Sequence, residues 1–182
     1  MKRVFLSMLF VSMLIPIMAQ EQSTVQEEEN VNYLIDGNHR RGFSSITELG
    51  TSFSYGKTFF SISETWGMRI NPYLFVGQGI HINVTKNKWA DLAATANVRV
   101  NFTDKNIAPQ FISEIGVNKT NQSTYDNEVM TLKDRQFIMQ SGLGVEFRFG
   151  PYAALTLNGG YKLLTDFNNN NHGGFVKIGY IF

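Results

Sequence analysis

The chain has 182 residues, of which 43% are hydrophobic, 13% aromatic and only 17% charged, with fifteen phenylalanines and no cysteine. One or two domains fit that length, and the missing cysteine excludes a disulfide framework, a cysteine nucleophile, a thiolate metal site and a lipid-modified cysteine anchor. The formal charge of +1 includes Lys2 and Arg3, which lie in a segment expected to be removed, so the remainder is slightly acidic and lacks the basic face that nucleic acid demands.

Met1 to Ala19 reads MKRVFLSMLFVSMLIPIMA. Lys2 and Arg3 form a basic start, Val4 to Ile15 an apolar run, and Pro16 a break before the small residue Ala19, the pattern of a secretory signal. The run is shorter than the roughly 20 residues that span a bilayer. Cleavage after Ala19 or Gln20 is expected, and with it export from the cytoplasm. Residues 20–41 are polar, carry the run Glu27-Glu28-Glu29, and read as a solvated flexible tail.

From Gly42 to Phe182 no helical period emerges. Eight alternating runs are expected as strands, at Phe43–Phe53, Thr58–Ile70, Tyr73–Val84, Leu92–Phe102, Pro109–Asn118, Gln136–Phe149, Tyr152–Leu163 and Gly174–Phe182, separated by turn residues. Asn71-Pro72, Thr103–Ala108 and Gly150-Pro151 make compact connections, while Thr85–Asp91, Lys119–Arg135 and Thr165–Gly173 are expected to be longer. Short turns at one end and long loops at the other suit an up-and-down meander that crosses a bilayer.

Side chains alternate across a strand, so parity divides each run into two faces. In the fourth, Leu92, Ala94, Ala96, Val98, Val100 and Phe102 oppose Ala93, Thr95, Asn97, Arg99 and Asn101. In the sixth, Met139, Leu143, Val145 and Phe147 oppose Gln140, Gly142, Gly144, Glu146 and Arg148. A water-washed face would be crowded with Lys and Glu. Here the polar lists are mostly Gly, Ser, Thr, Asn and Gln, which suits the narrow lumen of an eight-stranded barrel with its apolar face turned to lipid. Glu48, Arg69, Arg99, Glu114, Glu146, Arg148, Lys162 and Lys177 would then share that lumen and have to pair. Aromatics near the strand ends (Phe53, Phe60, Phe102, Phe111, Phe137, Phe149, Tyr180, Phe182) fall where interfacial girdles would lie. Glu64 has the parity of the lipid side, and a bulge near Ser63 would be needed to turn it inward.

Trp66 to Gly79, WGMRINPYLFVGQG, resembles the strand–NPY–strand with G-x-G of small bacterial outer-membrane β-barrel proteins, and Ile107 to Gly116, IAPQFISEIG, resembles a strand opening of the same family. The resemblance covers residues 42–182 and implies an OmpA/OmpX-like eight-stranded antiparallel transmembrane barrel in the outer membrane of a Gram-negative bacterium. It implies as partners outer-membrane lipid and lipopolysaccharide, and the barrel-assembly machinery, which would read the terminal aromatics Tyr180 and Phe182. Lys177 stands where a glycine is common in that signal, with Gly179 nearby.

Some barrels of this size modify lipid A with a Ser-His-Glu set, which requires a hydroxyl, a base and an orienting carboxylate together. His39 falls in the tail, His172 in a polar loop, and His81 in the lumen by parity, where no Ser or Glu partner can be placed beside it. His81 therefore reads as lumen filling. Three scattered histidines give no metal-ligand spacing, and the Gly-x-Gly pairs lack the helix that a phosphate loop needs. No catalytic residue and no cofactor is expected. The expectation is a non-enzymatic barrel with a structural or surface-interaction role through its loops. A narrow pore or small-molecule-binding barrel is the alternative, and a lipid A-modifying enzyme is a third reading.

Overall fold

The computed structural model describes residues 41–54, 56–85, 88–120, 135–150 and 153–182. The expected signal segment, the tail through residue 40 with His39, and positions 121–134 lie outside them. Eight strands follow in order: β1 (Gly42–Ser54), β2 (Lys57–Asn71), β3 (Leu74–Thr85), β4 (Lys88–Asn101), β5 (Ile107–Thr120), β6 (Arg135–Arg148), β7 (Ala154–Thr165) and β8 (Asn170–Ile181). Each pairs antiparallel with its chain neighbour, and β1 pairs with β8 from Ile46↔Ile181 to Phe53↔Gly174, closing a barrel. The seam runs to the last residue, because Ser45 and Phe182 exchange backbone hydrogen bonds of 2.8 and 3.0 Å. Closure leaves no edge whose N–H and C=O groups would face hydrocarbon unpaired.

Two strands start four residues earlier than alternation suggests. β4 begins at Lys88 and β8 at Asn170, so the connections expected at Thr85–Asp91 and Thr165–Gly173 shrink to 86–87 and 166–169. Strands of 12 to 15 residues outrun the roughly 9–11 needed for a tilted crossing. Beyond the hydrocarbon the outward face can be polar while the ladder continues, so Lys88, Asn170 and Asn171 pair although they read as breakers. In the tight β1–β2 turn, Gly56 supplies a φ of +68°, a left-handed conformation that glycine adopts without steric cost.

The faces sort as parity requires. Val98, Ile115, Met139, Leu143, Leu157, Val176 and Ile178 point outward and are exposed, and so do the strand-end aromatics Phe53, Phe60, Phe102, Phe111, Phe149 and Tyr180. Ser, Thr, Asn, Gln and the charged residues on the opposite parity are buried inside. Glycine is required where side chains crowd the narrow lumen. A Cβ at Gly144 would run into the Asn158 side-chain oxygen, and one at Gly77 would lie 2.9 Å from the Phe75 ring.

The lumen is not lined by glycine and amides alone. Phe59, Ala90, Ala93, Ile138 and Leu164 make an apolar cluster towards the end that carries the 86–87 and 166–169 connections, hereafter the loop end. Ile46, Phe75, Ala154 and Ile181 make a second at the opposite, turn end, where the chain terminus Phe182 and the 72–73 and 149–153 turns lie.

Glu64 does face outward. The β1–β2 register runs unbroken through Thr47↔Glu64 and Glu48↔Ser63, so there is no bulge at Ser63. The carboxylate instead accepts hydrogen bonds from the hydroxyls of Ser45 and Thr47 on the neighbouring strand. Ser45, although on the outer parity, is only 1% exposed.

Candidate functional site

The lumen holds a ladder of charges between the two apolar clusters, built by residues two apart on adjacent strands so that all project inward. At the turn end, Glu146 on β6 receives Arg69 Nη2 from β2 at 3.1 Å, Arg148 Nε at 2.7 Å and Asn101 Nδ2 at 3.3 Å. Arg148 also donates to the Pro72 carbonyl at 3.0 Å, tying the ladder to the β2–β3 turn.

Mid-lumen, Glu48 on β1 receives Arg99 Nη1 from β4 at 3.0 Å and Asn158 Nδ2 from β7 at 2.8 Å. Its second oxygen takes Ser63 Oγ at 3.3 Å and lies 3.8 Å from Lys177 Nζ. One tier nearer the loop end, Glu114 accepts from Asn97 Nδ2 at 2.7 Å and pairs with Lys177 at 3.7 Å. Lys162 and Asp91 form the last pair, at 3.8 Å, with Asn83 donating to Asp91 at 3.3 Å. Most of these pairs join strands that are not neighbours in the sheet, so they brace the barrel across its axis.

Each of the eight charged residues expected in the lumen is there and buried, and the ladder brings them together. One member lies outside the eight: Asp91 falls in the connection expected at Thr85–Asp91, whereas β4 starts before it and a register shift between Asn83 and Val84 sets Asn83↔Asp91 beside Val84↔Trp89. Extending the alternation of β4 upstream from Ala93 would have put Asp91 inside. His81 lies in the lumen as parity places it, but the expectation that it has no Ser or Glu partner is overturned. Its Nε2 lies 2.9 Å from Thr95 Oγ1 and 3.2 Å from Glu114 Oε2, with Lys177 Nζ 3.4 Å from Nδ1.

Those three groups do not make a catalytic relay. A relay needs the hydroxyl on one ring nitrogen and the carboxylate on the other. Here both share Nε2, an ammonium faces Nδ1, and the imidazole is 1% exposed. On the outer wall, His172 Nδ1 bonds the Tyr161 hydroxyl, while the outward strand carboxylate among the described residues is Glu64. Tyr180 lies level with Glu64 through Thr47. His172 is eight residues further along β8, about 26 Å at the usual strand rise. Among the described residues no three His, Asp or Glu side chains converge as metal ligands. Tyr180 and Phe182 sit outward at the seam with ring centroids 5.5 Å apart.

No protein-family model and no curated protein sequence matches the chain. Solved structures do. Neisserial surface protein A is similar at 15% identity and a TM-score of 0.53, covering 78% of this chain and 95% of its own. The N-terminal β-barrel domain of Pseudomonas aeruginosa OprF is similar at 9% identity and a TM-score of 0.52, covering 79% and 100%. The fold is that of the small outer-membrane barrels. The likeness seen in WGMRINPYLFVGQG and IAPQFISEIG is thus a likeness of fold, which those two segments carry as a hairpin and a strand opening.

Proposed function

We propose that the protein is an integral outer-membrane barrel with a sealed, non-conducting lumen, which acts as a non-enzymatic structural element of the envelope and meets external partners at its loop end. The observation that carries this reading is the cross-lumen ladder capped by an apolar cluster at each end. Eight strands leave only enough interior for side chains, and here charged and aromatic side chains occupy it from Phe59 to Phe75. The exposed aliphatic wall and the fold shared with known outer-membrane barrels support residence in that membrane.

The pore alternative needs a wet path along the axis, and buried Arg69, Arg99, Lys162 and Lys177 stand across it. Lipid A modification needs base and carboxylate together on the wall, and His172 and Glu64 are far apart.

Two measurements on detergent-refolded protein test the reading. An unboiled sample is expected to migrate differently from a boiled one on a denaturing gel, because closed barrels resist the gel detergent. The same folded protein in planar bilayers is expected to pass no single-channel current. Steady unitary currents would overturn the sealed lumen.

A further inference from the structure

At the loop end, Lys119 on β5 and Arg135 on β6 are direct cross-strand partners. Both are exposed, and both have outward parity, since Lys119 follows Val117 and Arg135 precedes Phe137 by two. Like charges facing each other across a ladder repel, and neither has an ion-pair partner among the described residues. They stand just where the apolar wall ends: Val117 and Met139 below them are exposed to the lipid side. No outward carboxylate offsets them at this end among the described residues. Asp91, one register step from Lys119 on the neighbouring strand, and Asp166 are both buried, and Asp166 accepts the backbone N–H groups of Asn168 and Asn169 in its own turn.

A second, independent feature lies beside the pair. Phe167, in the β7–β8 turn, is 86% exposed and holds a φ of +69°. A bulky residue in that region is a steric outlier, and such strain persists only where surrounding structure enforces it. Here the enforcement is visible: Phe167 N–H donates to Thr165 Oγ1 at 3.0 Å, and Asp166 ties the rest of the turn. The ring is thereby held 6.3 Å from that of Phe137, whose own outward neighbour along β6 is Arg135.

We propose that Lys119 and Arg135, flanked by Phe137 and Phe167, bind the phosphate group of an outer-leaflet glycolipid. This inference rests on the outer-membrane reading above. A phosphate between the two cations removes their repulsion and accepts charge-assisted hydrogen bonds from the guanidinium fork and the ammonium. The two rings sit at the level where headgroup gives way to acyl chain, the depth that aromatic side chains favour in membranes. The strained, exposed Phe167 then has apolar surroundings instead of water.

Native mass spectrometry of the full refolded chain in micelles tests the site, with three probes: bisphosphorylated lipid A, its dephosphorylated form, and inorganic phosphate. The phosphorylated lipid is expected to bind at least tenfold more tightly than the dephosphorylated lipid, with inorganic phosphate not retained. Lys119→Ala with Arg135→Ala should lose at least tenfold of that affinity, K119R with R135K should keep it, and Phe167→Ser should weaken it severalfold. Gel mobility before boiling reports whether each variant is folded, and the wild-type comparison of the three probes decides even if a variant is not. Equal binding of the two lipids, undiminished binding by the folded alanine variant, or retention of inorganic phosphate as tight as the lipid's would overturn the site. Channel currents would instead sink the sealed lumen and leave this lipid preference standing.

Discussion

Glu48 and Glu64 lie one step apart in the β1–β2 ladder, opposite Ser63 and Thr47 respectively, yet the inside and the outside of the barrel stabilise their carboxylates by different means. Inside, Glu48 is held by Arg99 from β4 and the Asn158 amide from β7, which arrive across the lumen, and by Lys177 of the adjacent β8. Outside, Glu64 has only what its own sheet surface provides, the Ser45 and Thr47 hydroxyls of the adjacent strand. A closed barrel can converge charges from all its strands on the axis, whereas its convex wall separates them. Polar groups on the wall must therefore be satisfied by immediate neighbours or stand at a rim where water and headgroups reach.

That contrast predicts unequal costs. The largest belongs to Glu48→Ala, which leaves Arg99 and Lys177 buried without their shared carboxylate. Removing one partner of a buried pair costs about 3–5 kcal/mol, and equilibrium urea unfolding in lipid vesicles should show a loss of that order. Phe75→Ala, which empties the turn-end cluster, should cost about 3 kcal/mol by the large-to-small rule, read as a lowered temperature for the mobility shift on gels. On the wall the scale is smaller. Ser45→Ala combined with Thr47→Val strips both donors from Glu64 and should cost about 1–3 kcal/mol as an unsatisfied polar group, in the same urea titration. Smallest of all, Glu64→Gln should change stability by less than about 1 kcal/mol, because an amide keeps one acceptor and loses the charge. If Glu64→Gln proved as damaging as Glu48→Ala, the contrast between wall and lumen would fail.

Period-two alternation made most of the barrel legible in advance. Eight strands, their order and the direction of nearly every side chain follow from parity, because shifting a strand by one residue would invert both faces. The eight charges of the lumen were legible for the same reason. The strand ends were not: above and below the hydrocarbon nothing obliges the outward face to be apolar, so Lys88, Trp89 and Asn170 to Gly173 carry no alternation while their backbones still pair. With β4 cut short, Asp91 dropped out of the ladder. The apolar clusters escaped as well, since an inward Phe59 or Ile138 breaks the expectation of a uniformly polar interior. Their cause is three-dimensional: the ends of a filled lumen, unlike its middle, can be closed by apolar side chains from several strands meeting there. The partners of His81 required the register between β3, β4 and β5, which puts Thr95 and Glu114 within reach of one imidazole.

The sidedness of the wall can be measured residue by residue, aided by the absence of native cysteine. Single-cysteine variants along β6, spin-labelled in lipid vesicles, report accessibility to oxygen, which concentrates in hydrocarbon, and to a water-soluble nickel chelate. Labels at Met139, Leu143 and Val145 are expected to meet oxygen freely and the chelate hardly at all, while those at Ile138, Gln140 and Glu146 meet neither. Oxygen reaching the second set in preference to the first, or chelate reaching it as in a water-filled channel, would contradict a lipid-facing apolar wall around a sealed, charge-braced interior.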